Sequence, residues 1–227
     1  MTNNINVFIG YDEGEKIAFH ILVESIRQKS SVPVTFTPLD LHTLRNIFKR
    51  DKQPNQSTDF AFSRFLVPYL SNYKGWSLFL DCDMFFRTDI KKLWDLCDEN
   101  YDVMVCKHDY IPNQTVKFRG AKNEAFPKKN WSSVMLFNNE KCKSLTKDFV
   151  QTASGLELHQ FKWTTEDKVG SLPLEWNWLI GEDDYKFKEE VKNAHFTLGG
   201  PYFNDYKDCD FSNEWFDIYN NTIKINL

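Results

Sequence analysis

The chain reads as short apolar blocks alternating with stretches of helical rhythm. Ile5 to Ile9 predicts a buried strand closed by Gly10, and from Glu13 to Gln28 apolar residues return at Ile17, Leu22, Val23 and Ile26 with the spacing of one helix face. Val32 to Thr37 predicts the next strand, with Pro33 and Pro38 at its flanks. Leu41 to Arg50 reads as a short helix, and Asp51 to Thr58 as a polar loop. Phe60 to Leu70 then reads as a strong helix capped by Thr58 or Asp59, with Phe62, Phe65, Leu66 and Tyr69 on its apolar side. The block from Trp76 to Phe86 starts as a fully buried strand and breaks into Asp81 and Asp83 with Cys82 between them. Asp89 to Cys97 predicts a helix, Asp102 to Cys106 a strand, Asn130 to Phe137 a strand and Leu145 to Thr152 a helix. Ala194 to Pro201 predicts a short strand that turns sharply at Gly199 and Gly200. Between Lys107 and Asn130 lies a long polar segment interrupted by Pro112, Gly120 and Pro127.

The carboxylate pair carries the clearest chemistry. A strand has period two, so Asp81 and Asp83 face the same way, and two like charges at the end of a buried strand repel unless a cation lies between them. Carboxylate oxygens suit a hard cation such as Mg²⁺ or Mn²⁺. A solvated strand end is the plainer reading of any Asp-x-Asp. In open α/β sheets, however, ligands collect outside the carboxyl ends of the strands, where this pair falls. Tyr11, in the turn after the first strand, either stacks on a base or merely covers the helix start. Arg64 is either a surface residue or one that reaches the next strand end to pair with a carboxylate or phosphate. Lys117, Arg119, Lys122, Lys128 and Lys129 of the long segment either close over an anionic ligand or form a solvated face. His195 taken alone reads as a satisfied histidine at a strand start.

Composition narrows the classes. The 227 residues suffice for one sizeable core, and a formal net charge of −4 with interspersed signs gives no electrostatic case for nucleic acid. The N-terminus has neither the basic start nor the apolar run of a signal peptide, and no stretch reaches the length of a transmembrane segment. Five widely spaced cysteines lack zinc-site pairing and read as reduced thiols, so a cytoplasmic protein is expected, in which Asn113-Gln-Thr115 is no glycosylation site. The 20 Phe, 9 Tyr and 7 Trp mostly build the core, while Trp and Tyr beside polar residues in the second half are what a sugar-binding cleft uses.

Five segments in order resemble glycosyltransferases of the nucleotide-sugar-binding GT-A fold, most closely the retaining enzymes of family 8. They are Val7-Phe-Ile-Gly-Tyr-Asp12, Ala61-Phe-Ser-Arg-Phe-Leu-Val-Pro68, Asp81-Cys-Asp83, Leu172-Pro-Leu-Glu-Trp-Asn177 and His195-Phe-Thr-Leu-Gly-Gly200. Lys128 to Ser133, His159 to Trp163 and Gly199 to Phe203 also resemble an uncharacterised bacterial and phage-type branch. The resemblance implies an α/β fold with a Rossmann-like mixed central sheet flanked by helices. It also implies a single domain over residues 1–227, with a donor-nucleotide half at about 1–107 and an acceptor and catalytic half at about 108–227.

Carried over residue by residue, the resemblance makes Asp81, Asp83 and His195 the ligands of Mn²⁺ or Mg²⁺. Gly10, Tyr11, Asp12, Arg64, Asp81, Gly199 and Gly200 become donor-binding residues. Trp131, Ser132, Ser133, Trp176 and Asn177 would shape the sugar and acceptor pockets, and Glu166, Asp167 or Gln160 would stand opposite the leaving group. The donor would be a nucleoside diphosphate sugar such as a UDP-sugar, and the acceptor a hydroxyl of a glycan or another molecule. Two rivals share parts of the pattern: an aspartate-nucleophile phosphotransferase, which also uses Asp-x-Asp after a strand, and a catalytically inactive carbohydrate-binding protein.

Overall fold

The computed structural model describes residues 4–51, 56–120, 122–123, 125–182, 184–185 and 190–223; residues 52–55 of the expected polar loop lie outside the described residues. The chain begins with a β-α-β unit, β1 (Ile5–Gly10), α1 (Lys16–Lys29) and β2 (Val34–Leu39), in which β2 lies parallel to β1 with Ile5 opposite Val34. After α2 (Leu41–Leu44) and α3 (Val67–Leu70), β3 (Trp76–Leu80) adds in parallel on the other side of β1. Then come β4 (Met84–Phe86), α4 (Lys91–Trp94), β5 (Val103–Cys106), β6 (Val134–Asn138), α5 (Lys147–Thr152), α6 (Gly155–His159) and β7 (Val169–Leu172). β8 (Trp178–Leu179), β9 (Asn193–His195) and α7 (Ser212–Ile223) follow.

Six strands form the central sheet in the order β2-β1-β3-β6-β5-β7, and β6 runs against the other five. The fold is therefore α/β, with a mostly parallel sheet flanked by helices, as the alternation of blocks predicts. Pro38 falls inside β2 rather than beyond it, which an edge strand tolerates because one side of its ladder is unpaired. β3 is buried from Ser77 to Leu80 between β1 and β6, and a side chain such as Phe79 contributes about 2–3 kcal/mol by leaving water. A smaller sheet, β4-β9-β8, sits beside the first and pairs β4 antiparallel to β9. Its residues Phe85 and Ala194, with Ile180 just beyond β8, pack with Ile21 of α1 and with Trp215 and Ile218 of α7 in a second core.

The expected helix over 60–70 is instead a series of tight turns and a 3₁₀ segment, Ser63–Leu66, before α3. Ala61 N–H bonds to Thr58 O and Phe65 N–H to Phe62 O, both with three-residue spacing, and Pro68 has no N–H with which to continue an α-helical ladder. Packing sets the local geometry, because Phe60 lies against Gly10, where a Cβ would come within 2.2 Å of the ring. The helices expected over 41–50 and 89–97 likewise shrink to one α-helical turn each, α2 and α4, followed by further turns.

Candidate metal and donor site

The site is assembled where β3 ends. Leu80 is paired with Ile9 on one side and Val134 on the other, and the Asp81 N–H donates to Ser133 O at 3.0 Å, so the backbone is held as the chain leaves the sheet. Asp81 and Asp83 are each only 8% exposed. β4 then brings in the distant partner: Met84 pairs with His195, and the Phe196 N–H donates to Asp83 O at 2.9 Å. His195 Nε2 lies 3.4 Å from Asp83 Oδ1 and 3.9 Å from Asp81 Oδ2.

Nδ1 of His195 lies 2.8 Å from Asn177 Oδ1, an oxygen that can only accept, so Nδ1 carries a proton and Nε2 is the ring atom turned to the carboxylates. Asn177 in turn donates from Nδ2 to Asn130 O at 3.0 Å. Both ends of this fully buried amide are engaged, so Asn177 orients the histidine rather than lining a sugar pocket. Asn177→Ala is expected to weaken Mn²⁺ affinity by roughly 10- to 100-fold, the usual cost of losing such an orienting partner. Titration calorimetry with Mn²⁺ checks this, and unaltered affinity would remove Asn177 from the role.

One ligand atom from each of Asp81, Asp83 and His195 lies within 4.8 Å of the others, which lets a single ion reach all three. Two hard oxygens and an imidazole nitrogen suit Mn²⁺ or Mg²⁺, so the residues present fit a divalent cation. Electrostatics agree. Burial raises the Asp81 carboxyl and neighbouring Asp83 adds to the rise, against the pull of Arg64; burial also acts on Asp83, but His195 beside it holds that carboxyl below its ordinary range.

Arg64 takes the sharper of its two sequence readings. It is 5% exposed, its Nη1 lies 2.7 Å from Asp81 Oδ1 and donates to Ser132 O at 2.8 Å, and its guanidinium stacks near Phe60 and Phe79. Ser132 and Ser133, expected in the sugar and acceptor pockets, hold this assembly: the carbonyls serve Arg64 and Asp81, and Ser132 Oγ lies 2.8 Å from Nδ1 of half-buried His159. Burial and the Arg64 charge lower the His159 pKa to about 3, so the ring is neutral.

In the turn after β1, Asp12 is buried and caps the chain, accepting from Gly14 N and from Asp59 N. Tyr11 is half-buried, its ring edge-on to Phe19 and its hydroxyl 3.1 Å from Glu13 Oε2. Gly199 and Gly200 are buried in the turn after His195; Gly199 has φ 146°, and a Cβ on Gly200 would come within 2.2 Å of Tyr202.

Other expected residues lie elsewhere. Trp176 is 1% exposed and packs against Phe86, so it has no face to offer a sugar. Trp131 is half-buried and donates to His108 O at 2.7 Å. Glu166 and Asp167 lie in the turn that enters β7, with side chains 67% and 73% exposed. The parallel register of β7 with β5 puts that turn at the end of the sheet opposite Asp81, where open water screens a carboxylate. Glu166 pairs there with Lys128, which also reaches the carbonyl of half-buried Gln160. Glu166 and Asp167 are therefore not brought to the carboxylate cluster.

Sequence reasoning missed Glu15. It reads as a solvated residue of a first helical turn, yet it is 1% exposed, and burial reinforced by the charge of Asp83 pushes its carboxyl up to about 9. Tyr202 donates to its Oε2 at 3.1 Å. His108 also went unnoticed; burial and neighbouring His195 lower it to about 3, and it is hydrogen-bonded to Tyr185.

The model of the glycosyl transferase family 8 matches residues 4–198. The chain belongs to glycosyl transferase family 8. A relative in Arabidopsis thaliana, Protein CDI, is 42% identical over 216 residues, covering 92% of this chain and 83% of the relative. Among solved structures, a variant of LgtC is 11% identical and superposes with a TM-score of 0.64 over 97% of both chains. The bifunctional WbbM glycosyltransferase gives 0.69 at 16% identity over 96% of this chain, which spans 50% of that one. GlyE of Streptococcus pneumoniae gives 0.64 at 16% identity over 96%, with 60% of its own length spanned. These neighbours share the GT-A fold, and this family 8 chain is a glycosyltransferase. Among the described residues, no helix is long and apolar enough to cross a membrane.

Proposed function

We propose that the protein transfers a sugar from a nucleoside diphosphate sugar, a UDP-sugar in our reading, to a hydroxyl of a glycan or other acceptor, with retention of configuration. The observation that carries this is the convergence of Asp81, Asp83 and His195 at the carboxyl end of β3 in a family 8 chain. LgtC, a galactosyltransferase of the same fold, was solved with donor and acceptor sugar analogues. Asp81, Asp83 and His195 would hold Mn²⁺ or Mg²⁺, which supplies charge against the negative charge that develops on the departing diphosphate. Asn177 keeps the histidine in the ligating tautomer, and Arg64 holds Asp81 in place. Gly10, Tyr11 and Asp12 border the nucleoside, with the partly exposed Tyr11 ring for the base; Gly199 and Gly200 let the backbone pass close to the diphosphate. Since Glu166 and Asp167 stand at the far end of the sheet, we assign retention to acceptor attack from the leaving-group face rather than to a carboxylate nucleophile. One domain over 1–227 is supported by the way Arg119 of the second half reaches Asp12 of the first. A cytoplasmic setting accords with cysteines that are all free.

Incubation with a panel of nucleotide sugars and Mn²⁺ tests the reading. We expect release of nucleoside diphosphate from one or a few donors and loss of that release on chelation. Phosphate released from a phosphomonoester instead would favour the aspartate-nucleophile phosphotransferase, and binding without turnover of any donor would favour the carbohydrate-binding protein.

A further inference from the structure

The segment 107–130 builds a small hairpin that the proposed chemistry leaves unused. Val116 bridges antiparallel to Lys122, and the Asn123 N–H donates to Thr115 O at 2.8 Å, which brings residues 115–116 alongside 122–123. Lys117, Phe118, Arg119 and Gly120 occupy the tip, where Arg119 (φ 58°) and Gly120 (φ 70°) adopt the left-handed conformation. A non-glycine residue held in that region costs free energy and is found where surrounding contacts over-determine it.

Those contacts lead to both sides of the donor site. On one side, the Phe118 N–H donates to Leu198 O at 2.8 Å, three residues beyond His195, and the buried Phe118 ring stacks on Phe203. On the other, Arg119 Nη1 lies 3.3 Å from Asp12 Oδ1 and so close over Gly14 that a Cβ there would come within 2.3 Å of it. The tip therefore straddles the space between the turn after β1 and the turn after β9. Lys117, beside Phe118 at the tip, is half-buried and makes no ion pair with any described residue. Arg64 and Arg119 are committed to carboxylates, Arg64 to Asp81 and Arg119 to Asp12.

We infer that Lys117 is the protein's own cation for the diphosphate of the donor, and that Phe118 and Arg119 position it by pinning the hairpin tip to the two turns that border the nucleotide. This rests on the nucleotide-sugar reading above and deepens it. A diphosphate between these turns brings charge that Asp81 and Asp83 repel; a bound cation offsets part of this repulsion, and an ammonium on the opposite flank offsets more. Phe118 and Arg119 act through Lys117 and touch no reacting atom in this scheme.

The test compares wild type, Lys117→Met, Arg119→Ala and Lys107→Met by titration with UDP and with uridine in the presence of Mn²⁺, with thermal melts to confirm folding. Lys117→Met is expected to weaken UDP binding by roughly 10-fold or more, in line with a lost charge-assisted contact, and to leave uridine binding unchanged. Arg119→Ala should give a smaller loss for UDP, restored in part by Arg119→Lys. If wild type binds UDP with Mn²⁺ and Lys117→Met binds it equally well, the inference fails while the nucleotide reading stands. A large loss in Lys107→Met with none in Lys117→Met assigns the diphosphate to Lys107, at the end of β5, and also overturns it. If wild type binds neither UDP nor any other nucleoside diphosphate, the reading beneath it falls as well.

Discussion

Replacing Asp83 with Asn is expected to reduce metal-dependent sugar transfer by about 10³-fold while the protein still folds. The substitution keeps the size of the side chain and removes one anionic oxygen from a cluster that has three ligating groups, two of them charged. Losing charge stabilisation of several kcal/mol at the leaving diphosphate gives a factor of this order, since each ~1.4 kcal/mol is tenfold in rate. The strand contact on which the fold relies is the Asp83 carbonyl, which accepts from the Phe196 N–H and survives the change. Turnover measured across a Mn²⁺ titration, together with a thermal melt, separates chemistry from folding. Wild-type turnover in the variant would end the assignment of Asp83 as a ligand.

The second large effect concerns stability. Arg64→Met should destabilise the metal-free protein by about 3–5 kcal/mol, because it leaves Asp81 buried without its cation and Ser132 O without its donor. Methionine fills part of the volume between Phe60 and Phe79, so the loss reads mainly on the charge and not on a cavity. Saturating Mn²⁺ is expected to return part of that stability, since an ion that binds only the folded state stabilises it by mass action and replaces the missing positive charge beside Asp81. Denaturant unfolding with and without Mn²⁺ measures both quantities. Equal unfolding midpoints for the variant and wild type would show that the buried pair is not supporting the strand end.

What the sequence made legible follows the length of the interactions involved. The apolar blocks of β1 and β3 are set by local pattern, and the structure places them at Ile5–Gly10 and Trp76–Leu80, within a residue of expectation. His195 was different. Taken alone it is an ordinary strand histidine, and only its order relative to the acidic pair in a recognised family made it a ligand candidate; the β4–β9 pairing now supplies the physical reason.

The misreadings have a common cause. The segment 60–70 has a good helical pattern, but Phe60 must fill the space that Gly10 leaves and Arg64 must reach Asp81, and these tertiary demands override propensity. Glu166 and Asp167 are close in sequence to a plausible motif, yet which end of β7 they occupy depends on strand direction, which local pattern does not encode. Glu15 shows the same limit from the other side. Nothing in Glu13-Gly-Glu15 signals burial, because the neighbours that enclose it, Cys82, Asp83 and Tyr202, come from two distant segments.

The small sheet has a further consequence for how the protein acquires its site during synthesis. Asp81 and Asp83 leave the ribosome more than a hundred residues before His195, and the strand that carries His195 is secured by packing against α1 and α7, the last helix described. Until that helix docks, the chain presents two adjacent acids with no imidazole beside them, a poor cation trap. The architecture thus ties competence for metal to residues 193–223: a chain in which that stretch is not yet in place carries the acidic motif without the site.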